Sequence, residues 1–414
     1  MNILILNTSD ITGGAAVAAS RLMRALENEG ENVRMLTLHK RGARANVRTV
    51  HGMWLRRHFL WERFCVWAAL GFRLEHLFEI DIANCGVDIC EHELFDWADV
   101  VHLHWINQGF ISLSEIGKIA RSGKKVVWTM HDLWAATALC HYARECQNYH
   151  SQCNNCALLP SHSNCLTKRV WRRKQKAYGN GAITFVACSQ WLANQARKSA
   201  LLQNCRVTNI PNPISTHTFK PSDRHEARKA MGIDSDKKIV LWVSQKVTDE
   251  RKGLRYFVEA VRIITQNNPD LAKNMAVAIL GGNAQEAAQM LDVQTFALGY
   301  VSDPAKIALT YNCANAFVLP SLEDNLPNTI MEAMACGVPC VGFNVGGIPE
   351  MIHHKSTGYV AEPRNAHDLA QGIEWVLCHE NPESLTQNCT DKVKREYSEH
   401  SVAERYITEY KNNG

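Results

Sequence analysis

The sequence predicts an α/β protein built as two doubly wound domains, and three observations carry that expectation. At 414 residues the chain is long for one average domain and suits two of roughly 200 each. Short apolar runs alternate with segments of helical period, which is the pattern of parallel βαβ units. The alternation pauses at Pro211-Asn212-Pro213-Ile214, a stiff connector that cannot be helical, and then resumes.

In the first series, residues 2–7 are too apolar to alternate and read as a strand buried on both faces. A loop through Gly13-Gly14 follows. Ala15, Ala18, Ala19, Leu22, Ala25 and Leu26 then recur at helical spacing, and Gly30 closes the helix. Residues 33–38, 100–103, 125–130 and 183–188 read as further short strands, the last three ending near His104, His131 and Ser189. In the second series, strands are expected at 239–243, 276–280, 316–319, 338–341 and 358–360. Leu254, Phe257, Val258, Val261 and Ile264 share one helical face, and a helix from about Ala366 turns Leu369, Ile373, Val376 and Leu377 inward. In such sheets ligands bind beyond the carboxyl ends of the strands.

Composition narrows the classes. Lys and Arg number 45 against 41 Asp and Glu, too small a surplus to argue for nucleic-acid binding. No uncharged apolar run reaches the length of a membrane span, and the start has no basic segment or cleavage pattern, so a cytoplasmic protein is expected. Fifteen cysteines in such a protein are expected to be reduced, with Cys313, Cys336 and Cys340 serving as small buried hydrophobes.

The stretch from Leu319 to Pro339 is the most informative. A strand ends at Pro320, the acidic loop Glu323-Asp324-Asn325-Leu326-Pro327 follows, and a helix carrying Glu332 opens with Asn328 as N-cap and stops at Gly337. Carboxylates suit sugar and ribose hydroxyls, and free amides at a helix start suit an anion. This block resembles the Glu-x7-Glu signature of glycosyltransferase family 4, including the run Glu332-Ala333-Met334-Ala335-Cys336-Gly337-Val338-Pro339. The resemblance implies a GT-B fold, two Rossmann-like domains facing each other across a cleft. It implies that Glu332 binds the ribose of a nucleotide and that Asp324 contacts the transferred sugar. Asp324 departs from the family's usual Glu, and Glu323 stands beside it as a rival.

Other segments agree. Lys246 and Lys252-Gly253 follow a strand and open a helix, where cations can neutralise a leaving diphosphate; Lys246 stands where the family usually has Arg, and Gln245 and Arg251 blur the assignment. Gly13-Gly14 resembles the family's N-terminal glycine loop and is not the dinucleotide fingerprint Gly-x-Gly-x-x-Gly, which argues against a NAD enzyme. His131 resembles the cleft histidine that bonds the donor sugar, and Gly346-Gly347 a loop lining the donor pocket. Ser189 and Asn212-Pro213 match cleft-wall landmarks. No Asp-x-Asp motif suited to holding a divalent metal on a diphosphate is apparent, so a metal-independent transfer is expected. The resemblance implies retention of anomeric configuration, and with no carboxylate nucleophile identifiable a front-face displacement is expected, the leaving phosphate helping to deprotonate the acceptor.

Two regions stay open. Cys140, Cys146, Cys153 and Cys156 include a Cys-x2-Cys pair and could form a structural zinc site, with His141 and Cys165 as spare ligands, or be reduced thiols in a loop. Residues 54–78 mix Trp54, Phe59, Trp61, Phe64, Trp67 and Phe72 with Arg56, Arg57, Arg63 and Arg73, and a basic run follows at 168–174. These read either as a buried helix and a solvated face, or as an interfacial helix with snorkelling arginines on the plasma membrane. The second reading would make the acceptor a lipid-linked, polyprenyl-diphosphate type saccharide in cell-surface polysaccharide assembly. The expected division is an acceptor-side domain over 1–212 with a Cys-rich insert at about 139–166, a nucleotide-sugar domain over 213–385, and helices over 386–414 crossing back. Rival functions are a sugar-nucleotide 2-epimerase of the same fold and an inactive sugar-nucleotide sensor.

Overall fold

The computed structural model describes residues 1–50, 55–179, 181–246 and 249–412, so Trp54 lies outside the described residues. The chain divides into two compact units, Met1–Pro213 with Val402–Gly414, and Ile214–Ser401. The division falls within the Pro-Asn-Pro-Ile connector.

The first unit is built on strands β1 (Asn2–Ser9), β2 (Asn32–His39), β3 (Val47–Thr49), β4 (Val100–Leu103), β5 (Lys125–Met130), β6 (Ile183–Ala187) and β7 (Val207–Asn209). All pair in parallel in the order β3-β2-β1-β4-β5-β6-β7. Because side chains alternate across a strand, Ile3 and Ile5 enter one core and Leu4 and Leu6 the other, and both cores are covered by helices. This is why β1 shows no polar alternation. The final helix, Glu399–Lys411, places Val402, Tyr406 and Tyr410 in the first of these cores. Tyr406 Oη lies 2.7 Å from Thr129 Oγ1, and Tyr410 Oη 2.7 Å from His102 Nδ1.

The second unit contains β8 (Lys238–Lys246), β9 (Met275–Gly282), β10 (Thr295–Gly299), β11 (Ala316–Leu319), β12 (Cys340–Phe343) and β13 (Gly358–Ala361), parallel in the order β10-β9-β8-β11-β12-β13. The helix Leu254–Asn267 buries Phe257, Val261 and Ile264 against this sheet, as its apolar spacing requires. The preceding helix, Pro382–Glu396, belongs to this unit, and the return to the first begins at Val402.

Three strands escape the sequence pattern, β3, β7 and β10, and each is a sheet edge. They are short and partly exposed, so no run of apolar residues marks them. β12 starts two residues later than the pattern suggests. Gly337, at φ 75°, and Val338 are spent closing the helix before it: their amides donate to Met334 O (3.0 Å) and Ala333 O (2.9 Å).

The segment 55–78 is split between core and solvent. Helix Leu55–Ala69 buries Glu62, Arg63 and Val66. Arg63 is therefore no snorkelling residue: its guanidinium pairs with Asp81 and donates to Leu77 O (2.6 Å) and Ile80 O (3.2 Å). Glu62 Oε1 accepts from the amides of Ile82 (3.1 Å) and Ala83 (2.7 Å). Among the described residues no helix is long and apolar enough to cross a membrane.

Candidate active site

In the second unit, three loops meet at the carboxyl ends of the adjacent strands β8, β11 and β12. Lys246 is the last residue of β8, and its side chain lies outside what the structure describes. Beyond it, Asp249 Oδ1 accepts from Arg251 N (3.0 Å), starting the turn Glu250–Lys252. Gly253 closes that turn at φ 73°, where a Cβ would sit 1.9 Å from Pro320 O. Only glycine lets the backbone after β8 lie directly on the backbone after β11. Leu322 N donates to Arg251 O (2.8 Å) and locks the two loops together.

The result is a fixed cation–carboxylate arrangement. Lys252 Nζ lies 2.5 Å from Asp324 Oδ2, Ser321 Oγ donates to the same oxygen at 3.3 Å, and an Arg251 Nη donates to Glu323 O at 3.1 Å. Burial pushes the Asp324 carboxyl up, but Lys252 and then Arg251 more than offset it, so its pKa falls below the usual range. The third loop closes on the same residue. Gly346, at φ 57°, passes so close that a Cβ would fall 1.7 Å from Asp324 O, and Gly347 N donates to that oxygen at 3.2 Å.

Asn325, Leu326 and Pro327 are buried and lead into the helix Asn328–Ala335. Its N-cap is Pro327, with no capping side chain, rather than Asn328. Glu332 lies one turn in and is buried, with Tyr311 Oη donating to Oε2 at 3.0 Å. Burial, and then Glu332, hold the Tyr311 phenol well above its ordinary pKa.

In the first unit, Gly13 caps the helix Gly14–Asn28 at φ 92°. A Cβ there would meet nothing within 4 Å, so the requirement at Gly13 is one of backbone conformation. Asp10 fixes the loop by accepting from the amides of Arg41 (2.9 Å) and Gly42 (2.7 Å). His131 follows β5, with Nε2 3.0 Å from His104 Nδ1 and Nδ1 3.7 Å from Cys188 Sγ. Burial pushes His131 down to about 4 and His102 down to about 3, so both are neutral at pH 7.

Next to His131 lies a buried ionic chain. His141 Nδ1 is 2.7 Å from Asp132 Oδ2 and Nε2 is 2.6 Å from Asp81 Oδ2, while Asp81 also pairs with Arg63. Burial opposes charge on His141, but Asp132 and then Asp81 outweigh it and raise the imidazole to about 10. Both ring nitrogens are engaged, which removes His141 as a spare metal ligand. Of the cysteines, Cys140 is pushed up to about 12 by burial and by the neighbouring Cys156, Cys153 and Cys146, so the four thiols share one neighbourhood. Among the described residues the metal-capable group whose ligand atoms all lie within 4.8 Å is Asp88, Cys90 and Glu115; the four cysteines are spread more widely. Lys118 already pairs with both Asp88 and Glu115.

Each unit also contains residues beside these groups that the sequence did not assign. Arg251 was ambiguous beside Lys252, and Tyr311, Ser321 and His104 carried no signal, because each acts through a contact made only in three dimensions.

Comparison with known proteins agrees with this architecture. Residues 12–218 match the model of Glycosyltransferase Family 4, and residues 237–379 match that of Glycosyl transferases group 1. An uncharacterized glycosyltransferase of Haemophilus influenzae is 28% identical over 221 residues, covering 52% of this chain and 58% of that one. A D-inositol 3-phosphate glycosyltransferase of Pseudarthrobacter chlorophenolicus is 30% identical over 41% of each chain. The chain thus spans about half the length of these relatives. An uncharacterized glycosyltransferase of Methanocaldococcus jannaschii is 27% identical over 80% of this chain and 89% of its own. Among solved structures, sucrose-phosphate synthase from Thermosynechococcus elongatus aligns with a TM-score of 0.65 at 19% identity, over 99% of this chain and 98% of that one. HepE of Anabaena, solved with UDP-glucose, aligns at 0.62 and 16% identity over 99% of each chain. Two parallel Rossmann-like sheets of this kind are the GT-B fold, and the chain belongs to glycosyltransferase family 4.

Proposed function

We propose that this protein is a retaining glycosyltransferase that moves a hexosyl group from a UDP- or GDP-sugar to a saccharide acceptor. The observation that carries this reading is the Arg251-Lys252 pair held against Asp324 by loops whose contact requires glycine at 253 and 346. A diphosphate develops charge as its bond to the sugar breaks, and fixed cations meet that charge with little reorganisation. Lys252 and Arg251 would serve there, together with Lys246 and the N-terminal end of the helix Asn328–Ala335. Asp324 and its neighbours Glu323, Asn325, Leu326 and Pro327 would receive the transferred sugar, with Gly346 and Gly347 as backbone wall. Glu332, a buried carboxylate already fixed by Tyr311 Oη, would bind a ribose hydroxyl. For the first unit we propose neutral His131 and the Gly13-Gly14 loop as sugar-binding groups.

In this mechanism the leaving phosphate oxygen takes the proton of the attacking hydroxyl on the face it departs from, so the anomeric configuration is kept. No divalent metal takes part. The donor class is supported by HepE, which binds UDP-glucose in the same fold. We further propose a lipid-linked acceptor in cell-surface polysaccharide assembly and a structural zinc held by Cys140, Cys146, Cys153 and Cys156. The zinc is supported by the four soft donors sharing one loop. Elemental analysis finding no zinc in the purified protein removes it.

The test of the reaction is NMR analysis of the product formed from a UDP-sugar with and without EDTA. Retention at the anomeric carbon with undiminished rate in EDTA supports the mechanism. Inversion, or loss of activity restored by Mg²⁺, contradicts it. A product formed without any acceptor would instead mark an epimerase.

A further inference from the structure

Nine large hydrophobic side chains are exposed among the described residues, and six of them fall between positions 60 and 78. Leu60, Trp61, Phe64, Phe72, Leu74 and Phe78 are each 50–76% exposed. Several touch one another: Trp61 stacks on Phe64 with ring centroids 5.8 Å apart, Phe64 lies 6.3 Å from Trp67, and Trp67 meets Phe72 edge-on at 4.8 Å. This run of ring contacts starts on the helix Leu55–Ala69, whose other face is anchored in the core through Glu62, Arg63 and Val66, and ends at Phe72 in the turn beyond it. Exposed Arg56, Arg57 and Arg73 flank it. A patch this apolar is costly to leave in water, and its contiguity marks a contact surface.

The neighbouring helix supplies the complementary charge. The turn at Gly71 packs toward Pro160, where a Cβ on the glycine would lie 3.8 Å from the proline ring, and Pro160 leads into the helix Asn164–Tyr178. That helix contains no Asp or Glu. Lys168, Arg169, Arg172, Arg173 and Lys176, with Cys165, line an open groove of about 520 Å³. At spacings of three and four residues these cations repel one another on the helix face, a cost that an anionic surface offsets. An apolar ridge beside a polybasic face is the pairing that holds a protein at the surface of a bilayer: aromatic rings enter the headgroup region while cations meet lipid phosphates.

We propose that residues 60–78 and the basic face of the helix Asn164–Tyr178 form one docking surface for an anionic lipid bilayer. The proposal goes beyond glycosyl transfer and does not depend on it, because binding is read without turnover.

The test is flotation of the full chain with vesicles of phosphatidylcholine alone and with added phosphatidylglycerol. Two double variants accompany it, Trp61→Ser with Phe64→Ser, and Arg169→Glu with Arg172→Glu. The wild type is expected to float with the anionic vesicles, less so as salt rises, and each double variant to lose at least about tenfold in apparent affinity. All four positions are exposed, and unchanged melting temperatures show that the variants fold. Equal binding by variants and wild type, or no binding to anionic vesicles, overturns the proposal. So does a wild-type dimer that Trp61→Ser dissociates, which would make the ridge a protein interface. Binding of inorganic phosphate in the basic groove without vesicle binding overturns it as well.

Discussion

The two units use the same sheet architecture but place their charges by opposite means. In the second, the ionic groups lie in loops at the strand ends, partly open, and are positioned by backbone packing: Gly253 on Pro320 and Gly346 on Asp324. In the first, they are buried among strands and helices and positioned by one another, through Arg63, Asp81, His141 and Asp132 on one side and His102, His104 and His131 on the other. Backbone-positioned charges can exchange partners with a ligand at little structural cost. Mutually buried charges are bound to the stability of the fold itself. On the proposed function a donor diphosphate would therefore be handled by the second unit, whereas the buried histidines make the first sensitive to pH.

The largest expected effect separates two glycines. Gly346→Ala forces a Cβ into Asp324 O and should reduce nucleotide-sugar affinity by more than about a hundredfold, given that even small displacements at a site cost that much. Gly13→Ala meets no atom and is opposed only by its backbone conformation, a strain of about 1–3 kcal/mol. Calorimetric titration with a UDP-sugar compares them, and equal losses would break the distinction drawn between the loops.

Next comes Asp81→Ala, which strands Arg63 and His141 in the core and should cost about 3–5 kcal/mol in chemical denaturation. Asp324→Asn, at a more open site, should change stability far less while lowering turnover strongly. A small effect of Asp81→Ala on stability would show that the buried chain is dispensable.

A third comparison uses pH. His102 and His131 have folded pKa values of about 3 and 4, below the unfolded value near 6.5, so the folded state binds fewer protons. The contribution of these two is then complete above about pH 6.5 and falls as pH drops toward 4, whereas that of His141, raised to about 10, is complete below about pH 6.5 and is lost as pH rises toward 10. The Asp324–Lys252 pair loses its contribution only at lower pH, because that carboxyl is held below its ordinary range. Hydrogen exchange between pH 7 and 5 should show β4 and β5 losing protection before β8 and β11, and the reverse order would contradict the assignment.

The smallest effect is that of Tyr311→Phe. Losing one hydrogen bond to the Glu332 carboxylate should weaken donor binding severalfold, about 1 kcal/mol, with little change in the catalytic rate. A large fall in the rate alone would place Tyr311 in the chemistry instead.

How much of this was legible in the sequence follows the same division. The strands of both central sheets announce themselves as apolar runs, and the acidic loop with its helix reads directly from Glu323 to Gly337, because those contacts are local in sequence. Edge strands such as β3 and β7 carry no such run. Arg63 stood between two readings, a buried helix and an interfacial one, since its partner Asp81 and the carbonyls of Leu77 and Ile80 come from a later turn of chain. His104 gave no functional signal, and His141 read as a spare zinc ligand, for the same reason: burial and pairing are properties of the folded unit. The Asn328 cap was misplaced by one residue because Pro327 takes that position without offering a side-chain acceptor.

The central claim is that the loops after β8, β11 and β12 hold a nucleotide-sugar diphosphate and ribose. A thermal-shift titration with UDP-, GDP- and ADP-sugars on the wild type, Lys252→Ala and Glu332→Ala tests it most directly. Ligand at a hundred times its dissociation constant should stabilise the wild type by about 2.7 kcal/mol. The account predicts a shift with a UDP- or GDP-sugar that both variants largely lose. A shift that survives unchanged in both, or no shift with any of the three donor classes, would contradict it.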